Sequence, residues 1–129
     1  MILLDTHIFI WWVNHSPRLE TSSRQLIERE PDAVGLSAIS LWETAKLVQS
    51  GRLELTLPLE DWLEGALAYP KVVIVALSPA IALGSTRLPP PFHKDPADEI
   101  IVATARVLEC ALLTYDGKIR QYPHVLLAE

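Results

Sequence analysis

Apolar positions along this chain come in short blocks whose spacing alternates between that of a strand and that of a helix. Residues 1–4 (MILL) form an apolar run stopped by Asp5, which predicts a strand. Residues 8–13 (IFIWWV) are apolar throughout and predict a short, buried helix. Ser16 and Pro17 offer an N-cap and a first-turn proline, so a second helix is expected over 16–29, with Leu19, Leu26 and Ile27 as its apolar face. Pro31 and Asp32 punctuate the chain before a second strand at 33–36. Ser37 caps a helix expected to reach Gln49, and Gly51 stops it. Residues 58–68 read as a further helix, ended before Pro70. The run 72–77 (VVIVAL) is β-branched and continuous, as expected of a central parallel strand covered on both faces.

Ser78-Pro79 opens another helix, to about Ser85, and the proline run within 88–92 makes a stiff extended segment. Asp95-Pro96 starts the longest helix, expected to reach Glu109. A strand at 111–114, a turn or short helix at 116–120 and a last short strand at 125–127 complete the pattern. Strand and helix alternate with no internal repeat or low-complexity linker. The fold class is therefore α/β, a parallel sheet covered by helices on both faces.

Composition narrows this further. The 129 residues, half of them hydrophobic, suit one domain over 1–129 with a real core. A net charge of −5 argues against broad nucleic-acid binding through the protein's own charge. It leaves open a nucleic acid held at a metal site, where the ion inverts the local charge. Cys110 is the single cysteine, so no internal disulfide can form; a cytoplasmic location and a buried thiol are expected. No basic region followed by an apolar stretch and a cleavage site marks a leader, so Met1 is expected to be the natural start. No apolar run approaches the roughly 20 residues of a membrane span.

The candidate chemistry lies in four separated acids: Asp5, Glu43, Asp98 and Asp116. Asp5 and Asp116 follow apolar runs that read as strands, and the other two belong to predicted helices. In a parallel sheet, strand ends and helix starts meet at one edge, where ligands bind. Four carboxylates gathered there would repel one another unless a hard divalent cation with oxygen ligands joined them, Mg²⁺ or Mn²⁺. Each acid also has a plain structural reading. Asp5 could cap the following helix, and Asp116-Gly117 could be a turn. Asp98 sits where an acid favours the helix dipole behind an Asp95 cap. Glu43 could close a capping box with Ser40 if its helix begins late.

The words carrying these acids, MILLDTH, SAISLWETAKL, HKDPADEIIVATA and LLTYDGKI, resemble in order and spacing those of PIN-domain proteins, and more closely the VapC-type toxin ribonucleases. The resemblance runs from end to end. It implies a three-layer α/β/α sandwich, Mg²⁺- or Mn²⁺-dependent cleavage of RNA, a homodimer, and an antitoxin partner that occludes the acidic pocket. It also implies that Asp5, Asp98, Asp116 and Glu43 are the catalytic and metal-binding set. Thr6 and Thr114 are candidate hydroxyls beside it, Ser37 is a weaker one, and Asp95 is a supporting or capping acid. One departure is Glu99, where many relatives carry Arg.

His7, His15, His93 and His124 are scattered, and each reads as a surface or hydrogen-bonded histidine; His7 stands out for its nearness to Asp5. Trp11 and Trp12 are adjacent and point about 100° apart on a helix, so at least one is expected at an interface. Trp11, Trp12 and Trp42 are the expected partner groove. Two other readings keep the fold: a PIN nuclease of general RNA processing without an antitoxin, and a catalytically silent binding module. A receiver-type phosphoacceptor would need paired acids after its first strand, and a phosphatase an Asp-x-Asp nucleophile. Thr6 and His7 follow Asp5 instead.

Overall fold

The computed structural model describes every residue, Met1–Glu129. In chain order its elements are β1 (Ile2–Leu4), α1 (Thr6–Val13), α2 (Thr21–Glu28), β2 (Val34–Ser37), α3 (Ala38–Gln49) and α4 (Leu59–Leu67). They continue with β3 (Val72–Val75), α5 (Pro79–Ser85), α6 (Pro96–Leu108), β4 (Ala111–Leu113) and α7 (Gly117–Arg120). The four strands are all parallel, in the order β3-β2-β1-β4. The chain thus builds outward from β1 to β3, then returns to place β4 on β1's other side. That reversal leaves a crevice at the carboxyl ends of β1 and β4, the place where open parallel sheets bind ligands.

The period of two along β1 explains the layers. Ile2 and Leu4 point to one face and pack with Phe9, Ile10, Leu36 and Trp62; Leu3 points to the other, with Ile101, Val102, Leu112 and Ile119. On β4 the neighbours Leu112 and Leu113 divide in the same way. Helices α1, α2 and α4 supply the first layer and α6 and α7 the second, giving the expected three-layer sandwich. In the first layer, Trp62 donates from Nε1 to Asn14 Oδ1 at 2.8 Å, so its one polar atom is not left bare. Cys110 is buried in the second layer, and burial pushes its thiol up from its ordinary value, as suits a small core hydrophobe.

Three expectations need correction, and one alternative falls away. The second helix begins at Thr21, not at Ser16-Pro17. Ser16 Oγ instead accepts from Arg18 N at 3.2 Å, and Leu19 N donates to Ser16 O. This turn drops Leu19 into the core before the helix starts. The VVIVAL run is not central: β3 is an edge strand ending at Val75, with Val73 and Ile74 exposed. The last strand reduces to a single bridge, Leu112 to Leu127. The cap of α3 is Ser37, whose Oγ accepts from Ile39 N, so no Ser40–Glu43 capping box forms.

Candidate active site

Asp5 leaves the end of β1 and is almost wholly buried. Its Oδ1 accepts from Thr6 N at 2.8 Å, which caps α1, and its Oδ2 accepts from the Thr114 hydroxyl at 2.7 Å. The capping reading of Asp5 holds, and because a carboxylate has two oxygens the cap does not by itself exclude a site role. Thr114, just beyond β4, also accepts from Asp116 N at 3.0 Å. Asp116 in turn caps α7, its Oδ1 accepting from Lys118 N at 2.8 Å and Ile119 N at 3.3 Å. Thr114 is thus the hinge joining the first acid to the last.

Thr6 makes the matching link to the middle acid. Its Oγ1 lies 2.8 Å from Ser40 Oγ and is hydrogen-bonded to Glu43 Oε1. Thr6 is the donor in both contacts, so its single proton is shared between the Ser40 hydroxyl and the Glu43 carboxylate. Asp98 stands on the first turn of α6, where its backbone N–H donates to Asp95 Oδ1 at 3.0 Å. Asp95 is therefore a true N-cap. The side chain of Asp98 meets His93 instead, with Nε2 at 2.6 Å from Oδ2.

The charges confirm that these acids are neighbours. Burial raises the Glu43 pKa, the Thr6 hydrogen bond lowers it, and the charges of Asp5, Asp98 and Asp95 raise it again. Asp98 is lifted to about 6, first by burial, against His93, and then by Asp5, Asp95 and Asp116. A cavity of about 510 Å³ lies beside them, lined only by His93, Asp95, Asp98, Asp116, Gly117, Lys118 and Gln121. A larger cavity of about 940 Å³ runs along α2 and the C-terminal residues. It holds none of the four acids and touches the site through Tyr115 and through Arg120, which donates to Thr114 O. The donors are all oxygen, as Mg²⁺ or Mn²⁺ prefers, yet no three His, Cys, Asp or Glu side chains stand where they alone could hold an ion. That set suits a hard cation that keeps much of its water and is held by one or two carboxylates.

Two histidines belong to this neighbourhood more closely than their scattered positions suggested. His7 Nε2 accepts from Tyr115 N at 3.0 Å, so Nδ1 carries the ring proton, 3.6 Å from Asp5 Oδ2. The signal for His93 was its place five residues before Asp98, where an extended prolyl segment can fold back onto the helix start. The three tryptophans of the expected partner groove do not share neighbours, and only Trp42 is exposed while Trp11 and Trp12 are partly buried. Trp11 packs edge-on against His7 and Tyr115, Trp12 leans on Tyr69, and Trp42 is exposed beneath Lys46. Ser37 is occupied in capping α3.

Residues 2–125 match the PIN domain. The chain belongs to the PIN-domain family. Among curated relatives of this PIN domain is Ribonuclease VapC22 of Mycobacterium tuberculosis, 35% identical over 123 residues, which cover 95% of this chain and 92% of the relative. Among solved structures, VapBC2 from Rickettsia felis, bound to a DNA fragment from its promoter, superposes with a TM-score of 0.71 at 18% identity. That match covers 99% of this chain and 98% of the other. A toxin–antitoxin complex from Klebsiella pneumoniae gives a TM-score of 0.69 at 24% identity, over 98% and 96% of the two chains. At these identities the structural likeness speaks for the fold.

Proposed function

We propose that this PIN domain is an endoribonuclease, the toxin of a toxin–antitoxin pair, and that Asp5, Glu43, Asp98 and Asp116 are its catalytic set. One observation supports the chemistry: Asp5 and Asp98 act by charge on Glu43, Asp5 and Asp116 act on Asp98, and both Glu43 and Asp98 have raised pKa values. Such a cluster is costly without a positive partner, and a divalent cation is the partner its oxygens suit. The relative named a ribonuclease supports the reaction, and an antitoxin partner is our reading, suggested by a solved structure of this fold being a toxin–antitoxin complex.

Mg²⁺ or Mn²⁺, when bound, would lower the pKa of a water molecule and neutralise charge on the scissile phosphate. Asp5 and Asp98 are the residues that would hold it, directly or through water, with Asp116 completing the pocket. Thr114 fixes Asp5 and Asp116 in register, and His93 aims Asp98. Glu43, held by Thr6 and raised in pKa, is placed to take a proton from water. An antitoxin segment with an apolar face and a basic side chain would lie near Trp11, Trp12 and Trp42 and reach the acids.

Two copies would meet through β3 and α5, because from Val72 to Thr86 the chain carries no charge while Val73, Ile74, Leu77 and Leu83 are exposed. For two copies of net charge −5, an uncharged face is where repulsion is least. No helix is long and apolar enough to cross a membrane, and a buried lone cysteine agrees with the cytoplasm.

The test is incubation of purified protein with total RNA, with Mn²⁺ and with chelator, followed by mapping of the cut ends. Metal-dependent cuts at defined sites, absent from Asp5→Asn and Asp98→Asn preparations, are expected. Cuts that persist in both variants would overturn the assignment.

A further inference from the structure

Lys118 is the one lysine or arginine among the residues lining the polar cavity beside Asp98 and Asp116. Its side chain is exposed and makes no ion pair, although Asp95, Asp98 and Asp116 share the same walls. Some other cations are engaged: Arg120 donates to Thr114 O and Glu129, Lys46 to Gln49, and Lys71 to Glu30 O. Arg29, Arg52, Arg87 and Lys94 are as free as Lys118, but none of them lines this cavity. The Lys118 backbone N–H is used by Asp116, but its ammonium is not. It therefore stands over the cavity with three donors to spend, and Gln121 stands on the same wall with an amide.

We propose that Lys118 binds a backbone phosphate of the RNA strand where the strand passes over this cavity, with Gln121 as a second donor. The proposal rests on the endoribonuclease reading. A strand of phosphates approaching an acidic cluster is repelled at each phosphate, and an ion held by the acids offsets that repulsion only close by. A neighbouring phosphate needs a separate counter-charge, and a flexible ammonium serves as a point charge for it. No hydrophobic residue lines the cavity, so it suits a solvated, charged backbone better than a stacked base.

The experiment compares wild type, Lys118→Ala and Lys118→Arg. Steady-state cleavage of a short single-stranded RNA containing a mapped cut site should show KM raised about tenfold in Lys118→Ala, the effect of one charge-assisted hydrogen bond. Its kcat should be little changed, and Lys118→Arg should recover most of the loss. RNA binding is then followed across salt concentrations in an Asp5→Asn background. There Lys118→Ala should reduce the slope of log affinity against log salt by about 0.7, the value of one lost phosphate contact on a single strand. An unchanged KM and salt slope would overturn the proposal. So would a fall in kcat with an unchanged slope, since Lys118 would then act on the carboxylates rather than the RNA. Failure of the wild type to cut RNA would remove the proposed function, while the salt slope would still decide whether Lys118 meets a phosphate.

Discussion

Burial lifts the Asp98 carboxyl to about 6, His93 pulls it back, and Asp5, Asp95 and Asp116 lift it further. The sign for stability follows. The unfolded carboxyl titrates near about 3.9, so between about pH 4 and 6 the folded state binds more protons, and stability falls as pH rises through that window. Glu43 is shifted in the same direction. The metal-free protein should therefore gain stability from these groups as pH drops from 7 to 5. Asp98→Asn should melt higher than wild type at pH 7 without metal, and the difference should vanish near pH 4. Added Mn²⁺ should raise the wild-type Tm and leave the variant's nearly unmoved; calorimetry with and without chelator reads both. An Asp98→Asn protein that melts lower at pH 7, metal-free, would show that its carboxylate is stabilised rather than strained. Its neighbour behaves differently. Asp95 accepts the Asp98 N–H, so Asp95→Ala should cost about 0.5–2 kcal/mol while Asp95→Ser keeps both stability and cleavage.

At the scale of elements, the strands and helices that carry the acids were legible because their signals are local. A short apolar run closed by Asp, a Ser before an apolar helix and an Asp-Pro helix start each contain their own reason. What sequence missed depended on contacts between distant segments. VVIVAL looks central from composition, but the shorter β1, with all three residues buried, takes the centre, because strand order is set by which helices cover the sheet. Ser16-Pro17 looks like a helix start, yet α2 is fixed from 95 residues away. Tyr115 OH accepts from Glu20 N at 3.0 Å and lies 2.7 Å from Ser23 Oγ. Tyr115→Phe should therefore cost about 1 kcal/mol. Amide hydrogen exchange should speed up at the start of α2 and leave α6 unaffected. Equal acceleration in both helices would mean that the hydroxyl supports the whole domain rather than this one start. The convergence of the acids was expected from strand ends, helix starts and the family resemblance, which also placed Thr6 and Thr114 beside them; which carboxylate each hydroxyl holds emerges only when distant segments fold together.

At the scale of the molecule, two surfaces of opposite character would suit two kinds of partner. The uncharged β3–α5 face suits a second copy. Leu83→Glu, at an exposed position, should shift gel filtration from dimer toward monomer and leave metal-dependent cleavage within a few-fold, unless the partner copy completes the site. The acidic crevice suits a basic side chain. Glu43 and Asp98 are held above their ordinary pKa values by burial and by neighbouring carboxylates, so an arriving guanidinium would relieve repulsion that a metal ion otherwise relieves. Inhibition by an antitoxin should then be competitive with Mn²⁺. Changing the antitoxin's basic residues near the crevice to Ala should leave the complex intact, through apolar contacts near Trp11, Trp12 and Trp42, while restoring a large share of RNA cleavage. Co-expression and pull-down with the protein encoded beside this one, scored together with cleavage across Mn²⁺ concentrations, separates the two effects. Full inhibition by the Ala-substituted antitoxin at every Mn²⁺ concentration would mean that the partner covers the crevice sterically and that charge substitution plays no part.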